Sequence, residues 1–204
     1  VYNNLVIIAT STRALYATSQ DGRTIEAVLQ PDQSTLGKVY DLQVSFDGQA
    51  IYLATESGLY RSAITPPWQW HKTADLPSLR LVAGLPDKDI LYLLTFDSQQ
   101  NEGKLYYWES GRIVQELGVI TQLPYALVAD PSLSSSIAAY ILLDRGEVLA
   151  AKHDKQINSL GKRPSRWFAE NNLAHDLVVT QPSEGIVRLW MGHSEGLLEY
   201  RAFQ

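Results

Sequence analysis

The chain has no cysteine among its 204 residues, which excludes disulfides, thiolate metal sites and cysteine nucleophiles together. It holds a single methionine, Met191, and does not open on one, so it reads as a processed or excised piece of a larger polypeptide. No charged–apolar–small leader pattern occupies Val1–Thr10, and no apolar run is long enough to span a bilayer. The compartment is therefore left unassigned. Helical periodicity is also missing; only Ser165–Leu173 reads as a single helical turn. Net charge is −5, which argues against nucleic acid as the main partner. The four histidines (His71, His153, His175, His193) share no His-x-His or His-Glu-x-x-His spacing. Glycine-rich phosphate loops and Gly-x-Ser-x-Gly are missing too. No catalytic residue, cofactor or metal is assigned.

Aromatic and β-branched residues are plentiful, with five Trp and eleven Tyr, and they favour strands. An apolar strand, a short polar or glycine turn and a second strand recur roughly every 40 to 50 residues, a period that in all-β sequence means repeated blades. The clearest copies are Ile51–Ser62 and Val187–Arg201; weaker ones are Leu5–Ser19, Leu91–Ser110 and Ala139–Lys152. A short strand a precedes four of these hairpins: Val39–Ser45, Leu79–Gly84, Tyr125–Ala129 and Asp176–Thr180. Each closes in Asp, Pro, Gly or Ser, which is strand-then-turn chemistry. The hairpin supplies strands b and c. A more polar strand d follows at Thr24–Gln30, Trp68–Thr73, Arg112–Leu117 and between Gln156 and Leu160. The inventory is b-c-d, then a-b-c-d three times, then a-b-c. The expected fold is an all-β propeller of about five four-stranded blades, or an arc of a larger propeller. Blades would fall near 1–38, 39–78, 79–123, 124–173 and 174–204 of a single unit, the first and last incomplete.

Ile51, Tyr52, Leu53, Ala54, Thr55, Gly58, Leu59, Tyr60 and Ser62 form an apolar–aromatic–apolar–small–Thr–x–x–Gly–Leu–aromatic–x–Ser element. Leu189, Trp190, Met191, Gly192, Gly196, Leu197 and Tyr200 form a variant with His193 in place of Thr. These repeats resemble those of Asp-box (BNR-type) propellers, photosystem II assembly-factor propellers and two-component-regulator sensor propellers. The Asp-box itself survives only as Ser19–Ile25, one residue short and without its Trp. The resemblance implies a propeller, but the group spans hydrolases, receptors, assembly factors and sensors, so it implies fold far more than function.

Binding on one face is the leading expectation: a non-catalytic sensor or scaffold domain that recognises a protein partner or small ligand. The b–c turns and the long connection Lys162–Ala174 would share that face, with Glu56, Asp97, Asp144, Arg145, Lys162, Arg163, Arg166, Trp167, His193 and Glu195 as candidates. Five of the seventeen basic residues lie between Lys152 and Arg166, so the rest of the chain is distinctly acidic. Alternatives are an Asp-box-type glycan-binding or glycoside-hydrolysing enzyme, which needs two carboxylates or a tyrosine nucleophile at the channel mouth, and an assembly factor. Arg80, alternating with Leu79 and Leu81, fits an outward or inter-blade position as well as a channel one.

Overall fold

The computed structural model describes residues 5–9, 15–19, 25–29, 36–65, 68–85, 88–132, 136–144, 146–161, 174–183, 186–193 and 196–203. They form eighteen strands, with no helix among the described residues. In chain order these are β1 (Leu5–Ala9), β2 (Leu15–Ser19), β3 (Ile25–Leu29), β4 (Val39–Val44), β5 (Ala50–Thr55), β6 (Gly58–Ala63), β7 (His71–Ala74), β8 (Leu79–Gly84) and β9 (Ile90–Thr95). There follow β10 (Gly103–Glu109), β11 (Arg112–Ile120), β12 (Pro124–Ala129), β13 (Ile137–Leu143), β14 (Val148–Lys152), β15 (Ile157–Gly161), β16 (Ala174–Ser183), β17 (Ile186–His193) and β18 (Gly196–Phe203). Five sheets are built from consecutive strands, in the orders β1-β2-β3, β4-β5-β6-β7, β8-β9-β10-β11, β12-β13-β14-β15 and β16-β17-β18. This is the expected inventory of three, four, four, four and three strands. Two compact units, Val1–Val82 and Ala83–Gln204, divide the chain within β8.

Burial explains why strand b carries the strongest apolar signal. Every residue of β5 is buried, as are all but one of β9 and of β13, so both faces of these strands are covered. Outer strands face water instead: β7 and β15 contain no fully buried residue. In the first unit Leu36, Val39, Ile51, Leu53, Tyr60 and Ile64 form a core, with Trp68 and Trp70 packed against it. In the second, Tyr140, Leu142 and Val148 pack with Leu177, Val187, Leu189 and Met191, joining the fourth sheet to the fifth. Each fully buried side chain of this size contributes about 1.5–3 kcal/mol.

Thr55 explains the Thr-x-x-Gly element. Its buried hydroxyl donates to the Gly58 carbonyl at 2.8 Å and accepts the Gly58 N–H at 3.2 Å, closing the β5–β6 turn from inside. Thr95 repeats the device, its hydroxyl exchanging hydrogen bonds with the Lys104 backbone at 3.2 and 3.3 Å. Gly58 has φ of +137°, and a Cβ there would stand 2.4 Å from the Ala74 carbonyl oxygen, so glycine is required on both counts.

Two expectations shift in detail. Strand d of the second sheet begins at His71 rather than Trp68; Trp68 and Trp70 precede it and fill core space instead of a strand face. His193, expected within a turn, is the last residue of β17 and pairs with Gly196. Tyr107 and Trp108, adjacent in β10, differ in burial: Trp108 is 2 % exposed while Tyr107 is half-buried. The Asp-box remnant Ser19–Ile25 runs from the end of β2 to the start of β3, with Gln20–Thr24 outside the described residues, and the expected helical turn at Ser165–Leu173 lies wholly outside them.

Candidate binding face

Three of the sequence candidates have described side chains. Glu56 is exposed at the β5–β6 turn, where its Oε2 accepts the Lys38 N–H at 3.2 Å. Its backbone N–H donates to the Lys38 carbonyl at 2.8 Å and its carbonyl accepts the Ser78 N–H at 2.8 Å. Glu56 thus ties the chain before β4 to the chain before β8. Asp97 spends Oδ1 on the Gln99 N–H at 2.8 Å, an Asx turn. Asp144 is half-buried, and its enclosed Oδ1 has no hydrogen-bond partner among the described residues. No hydrogen bond or ion pair joins these three carboxylates to one another among the described residues. Arg145, Lys162, Arg163, Arg166, Trp167 and Glu195 lie outside the described residues.

Sequence reading misses a recurring distortion at the start of strand a. Val39 pairs with Thr55 and Asp41 with Ala54, leaving Tyr40 as the extra residue of a β-bulge. Tyr125 is left over in the same way between Pro124 and Ala126, and His175 between Ala174 and Asp176. Arg80 is the second residue of β8, the corresponding position in the third sheet. Bulges re-aim side chains and gather near functional sites. Every residue at this position ends in a polar group.

In the first unit two of these residues touch. The Arg80 guanidinium lies 4.1 Å from the centre of the Tyr40 ring, and the Lys38 ammonium lies 5.1 Å from it. Both distances are within cation–π range. Asp41 fixes the spacing: Oδ1 accepts the Leu42 N–H at 2.8 Å and Oδ2 accepts the Val82 N–H of β8 at 3.0 Å. Lys38 is exposed while Tyr40 and Arg80 are half-buried, so the cluster can be reached from solvent beside the turn that carries Glu56.

The same unit holds an open groove of about 710 Å³ on the β6–β7 hairpin, lined among others by Arg61, Ser62, Gln69, His71, Lys72 and Thr73. In the second unit Tyr92, Tyr107 and His153 form an aromatic cluster, the Tyr107 and His153 rings meeting edge-on at 6.0 Å. Burial, then the charges of Tyr107 and Asp130, push the Tyr92 hydroxyl well above the usual tyrosine range. Asp130, 2 % exposed, accepts the Tyr140 O–H at 2.9 Å and the Ser132 N–H at 2.7 Å. No group of three or more metal-ligating side chains occurs among the described residues.

Antiparallel sheets of three or four consecutive strands, repeated five times, define an all-β protein of the β-propeller type. Solved structures share that architecture at low identity. A gluconolactonase from Xanthomonas campestris superposes with a TM-score of 0.68 at 16% identity, over 98% of this chain and 69% of its own. The extracellular domain of a putative one-component system from B. thetaiotaomicron gives 0.67 at 16%, over 99% of this chain and 27% of its own. A nidogen/laminin complex gives 0.63 at 14%, over 94% and 71%. No protein-family model and no curated protein matches the chain.

Proposed function

We propose that the chain is a non-catalytic propeller-type binding, sensor or scaffold domain that recognises a protein or small ligand on its b–c turn face. The observation that carries this reading is the convergence of Lys38 and Arg80 on the Tyr40 ring beside the Glu56 turn. A rigid sheet presenting an amphipathic aromatic and two cations is the composition from which interface anchors are made. Propeller structures in a nidogen/laminin complex and in an extracellular sensor-system domain lend support at the level of fold. Descent from Asp-box or two-component-regulator-type repeats is part of the same reading, supported by the turn that Thr55 closes through its hydroxyl.

The test is selection from a displayed random-peptide library, followed by titration of the selected peptides against the parent and the Lys38→Glu and Tyr40→Ala variants. Loss of binding in both variants, with melting temperatures within a few degrees of the parent, supports the reading. Unchanged binding in both overturns the assignment of this face. Turnover in a panel of lactones and glycosides, abolished by replacing a single carboxylate, would replace the binding domain with an enzyme.

A further inference from the structure

We propose that the groove on the β6–β7 hairpin is a second binding site, taking a sugar that carries an oxyanion group: carboxylate, sulfate or phosphate. The proposal goes beyond the b–c turn face and does not depend on it. At about 710 Å³ the groove falls within the ordinary range of small-molecule sites, about 300–1,000 Å³.

Its charged lining has one sign. Arg61, His71 and Lys72 line it, and the remaining lining residues among those described are neutral. Arg61 sits directly opposite His71 in the β6–β7 pairing and opposite Tyr52 in the β5–β6 pairing, so the three share one face of the sheet. The guanidinium lies 5.9 Å from the Tyr52 ring centre, which steadies its planar fork. An oxyanion between Arg61 and His71 would accept a charge-assisted hydrogen bond from the Arg61 guanidinium and a second from a ring N–H of His71.

Among the described residues the other charges nearby have hydrogen-bonded partners, although the Asp47 carboxylate also feels the Arg61 guanidinium. Lys72 holds Asp75 at 2.6 Å, and Asp47 accepts the Ser45 hydroxyl at 2.6 Å and the Gln49 N–H at 3.0 Å. Hydroxyl and amide groups supply the second half of the chemistry. Thr73 and Gln69 line the groove, and the buried Ser62 hydroxyl accepts the Gln69 N–H at 3.0 Å, tying Gln69 to β6. Thr73 is itself the extra residue of a bulge, between the Leu59–Ala74 and Tyr60–Lys72 pairs, at the outer edge of the sheet. Neutral donors and acceptors next to a guanidinium and an imidazole suit ring hydroxyls next to an anionic substituent.

Isothermal titration at one ionic strength, with glucuronate, glucose 6-sulfate, glucose 6-phosphate, glucose and inorganic phosphate as probes, tests the site. At least one charged sugar should bind saturably, and glucose should bind about tenfold more weakly or worse, the scale of a lost charge-assisted pair. Arg61→Gln and His71→Ala should each weaken the charged sugar by a similar factor while the melting temperature stays unchanged, since both side chains are exposed. Three results would overturn the proposal: no saturable binding of any charged sugar, binding indifferent to both substitutions, or inorganic phosphate binding as tightly as the sugars.

Discussion

Asp41 and Asp176 make the same hydrogen bond in different sheets. Each carboxylate accepts the N–H of the following residue, Leu42 or Leu177, at 2.8 Å. Each also follows a bulged residue, Tyr40 or His175. The carboxylate satisfies a backbone donor that the interrupted ladder leaves over, which is why an acid can sit at the third position of each strand.

Asp41→Ala should destabilise the protein by about 1–3 kcal/mol, because the Leu42 and Val82 N–H groups lose their acceptor. Asp41→Asn keeps one carbonyl acceptor and should fall between alanine and the parent. Urea denaturation of the three proteins gives the order, and equal midpoints would show that solvent satisfies these groups equally well.

Gly58→Ala should cost more than Gly111→Ala, although both glycines have positive φ. A Cβ on Gly111 meets nothing within 4 Å, leaving only the backbone penalty of about 1 kcal/mol, whereas one on Gly58 runs into the Ala74 carbonyl oxygen and the Leu76 nitrogen. Thermal melts of the two variants should separate by several degrees, with Gly58→Ala the lower.

Stability should fall at alkaline pH through Tyr92. In the folded chain its hydroxyl holds the proton above the ordinary tyrosine value of about 10, first through burial and then through Tyr107 and Asp130. The unfolded chain loses that proton first, so it binds fewer protons than the native state and stability drops as pH rises past that value. Below it, the contribution is flat. Tyr92→Phe should flatten the decline in melting temperature between neutral and strongly alkaline pH; an unaltered slope would assign the effect to other tyrosines.

Tyr140→Phe should cost about 1–3 kcal/mol, since it removes a hydrogen bond to a carboxylate buried to 2 % exposure. Equilibrium unfolding in guanidinium chloride measures it. A loss below about 0.5 kcal/mol would mean that Asp130 is held chiefly by its other partners.

The strand inventory was legible because strand b is covered on both faces and therefore reads as continuous apolar sequence, as in Ala50–Thr55 and Ile90–Thr95. Turn residues then mark where each strand stops. The bulge at Tyr40 was not legible, because it exists only in the register between β4 and β5. Nor was the Lys38–Tyr40–Arg80 cluster: Arg80 reaches Tyr40 across forty residues of sequence, and alternation with Leu79 and Leu81 leaves its direction open. Trp68 and Trp70 misled for a physical reason. Tryptophan favours strands because it suits half-buried surfaces, and the edge of a core cluster is such a surface without strand pairing.

The five sheets are assembled without any strand exchange, each from consecutive stretches of chain. Every sheet is therefore a cassette whose ladder is complete before the next begins. Copying or deleting one leaves the hydrogen bonds inside the others intact, and what joins neighbours, such as the Asp41–Val82 pin and the core shared by the fourth and fifth sheets, must be made again. A gene built this way can change length by whole sheets while its residues at the bulge positions diverge independently, so the side chains carried there can be rewritten one sheet at a time.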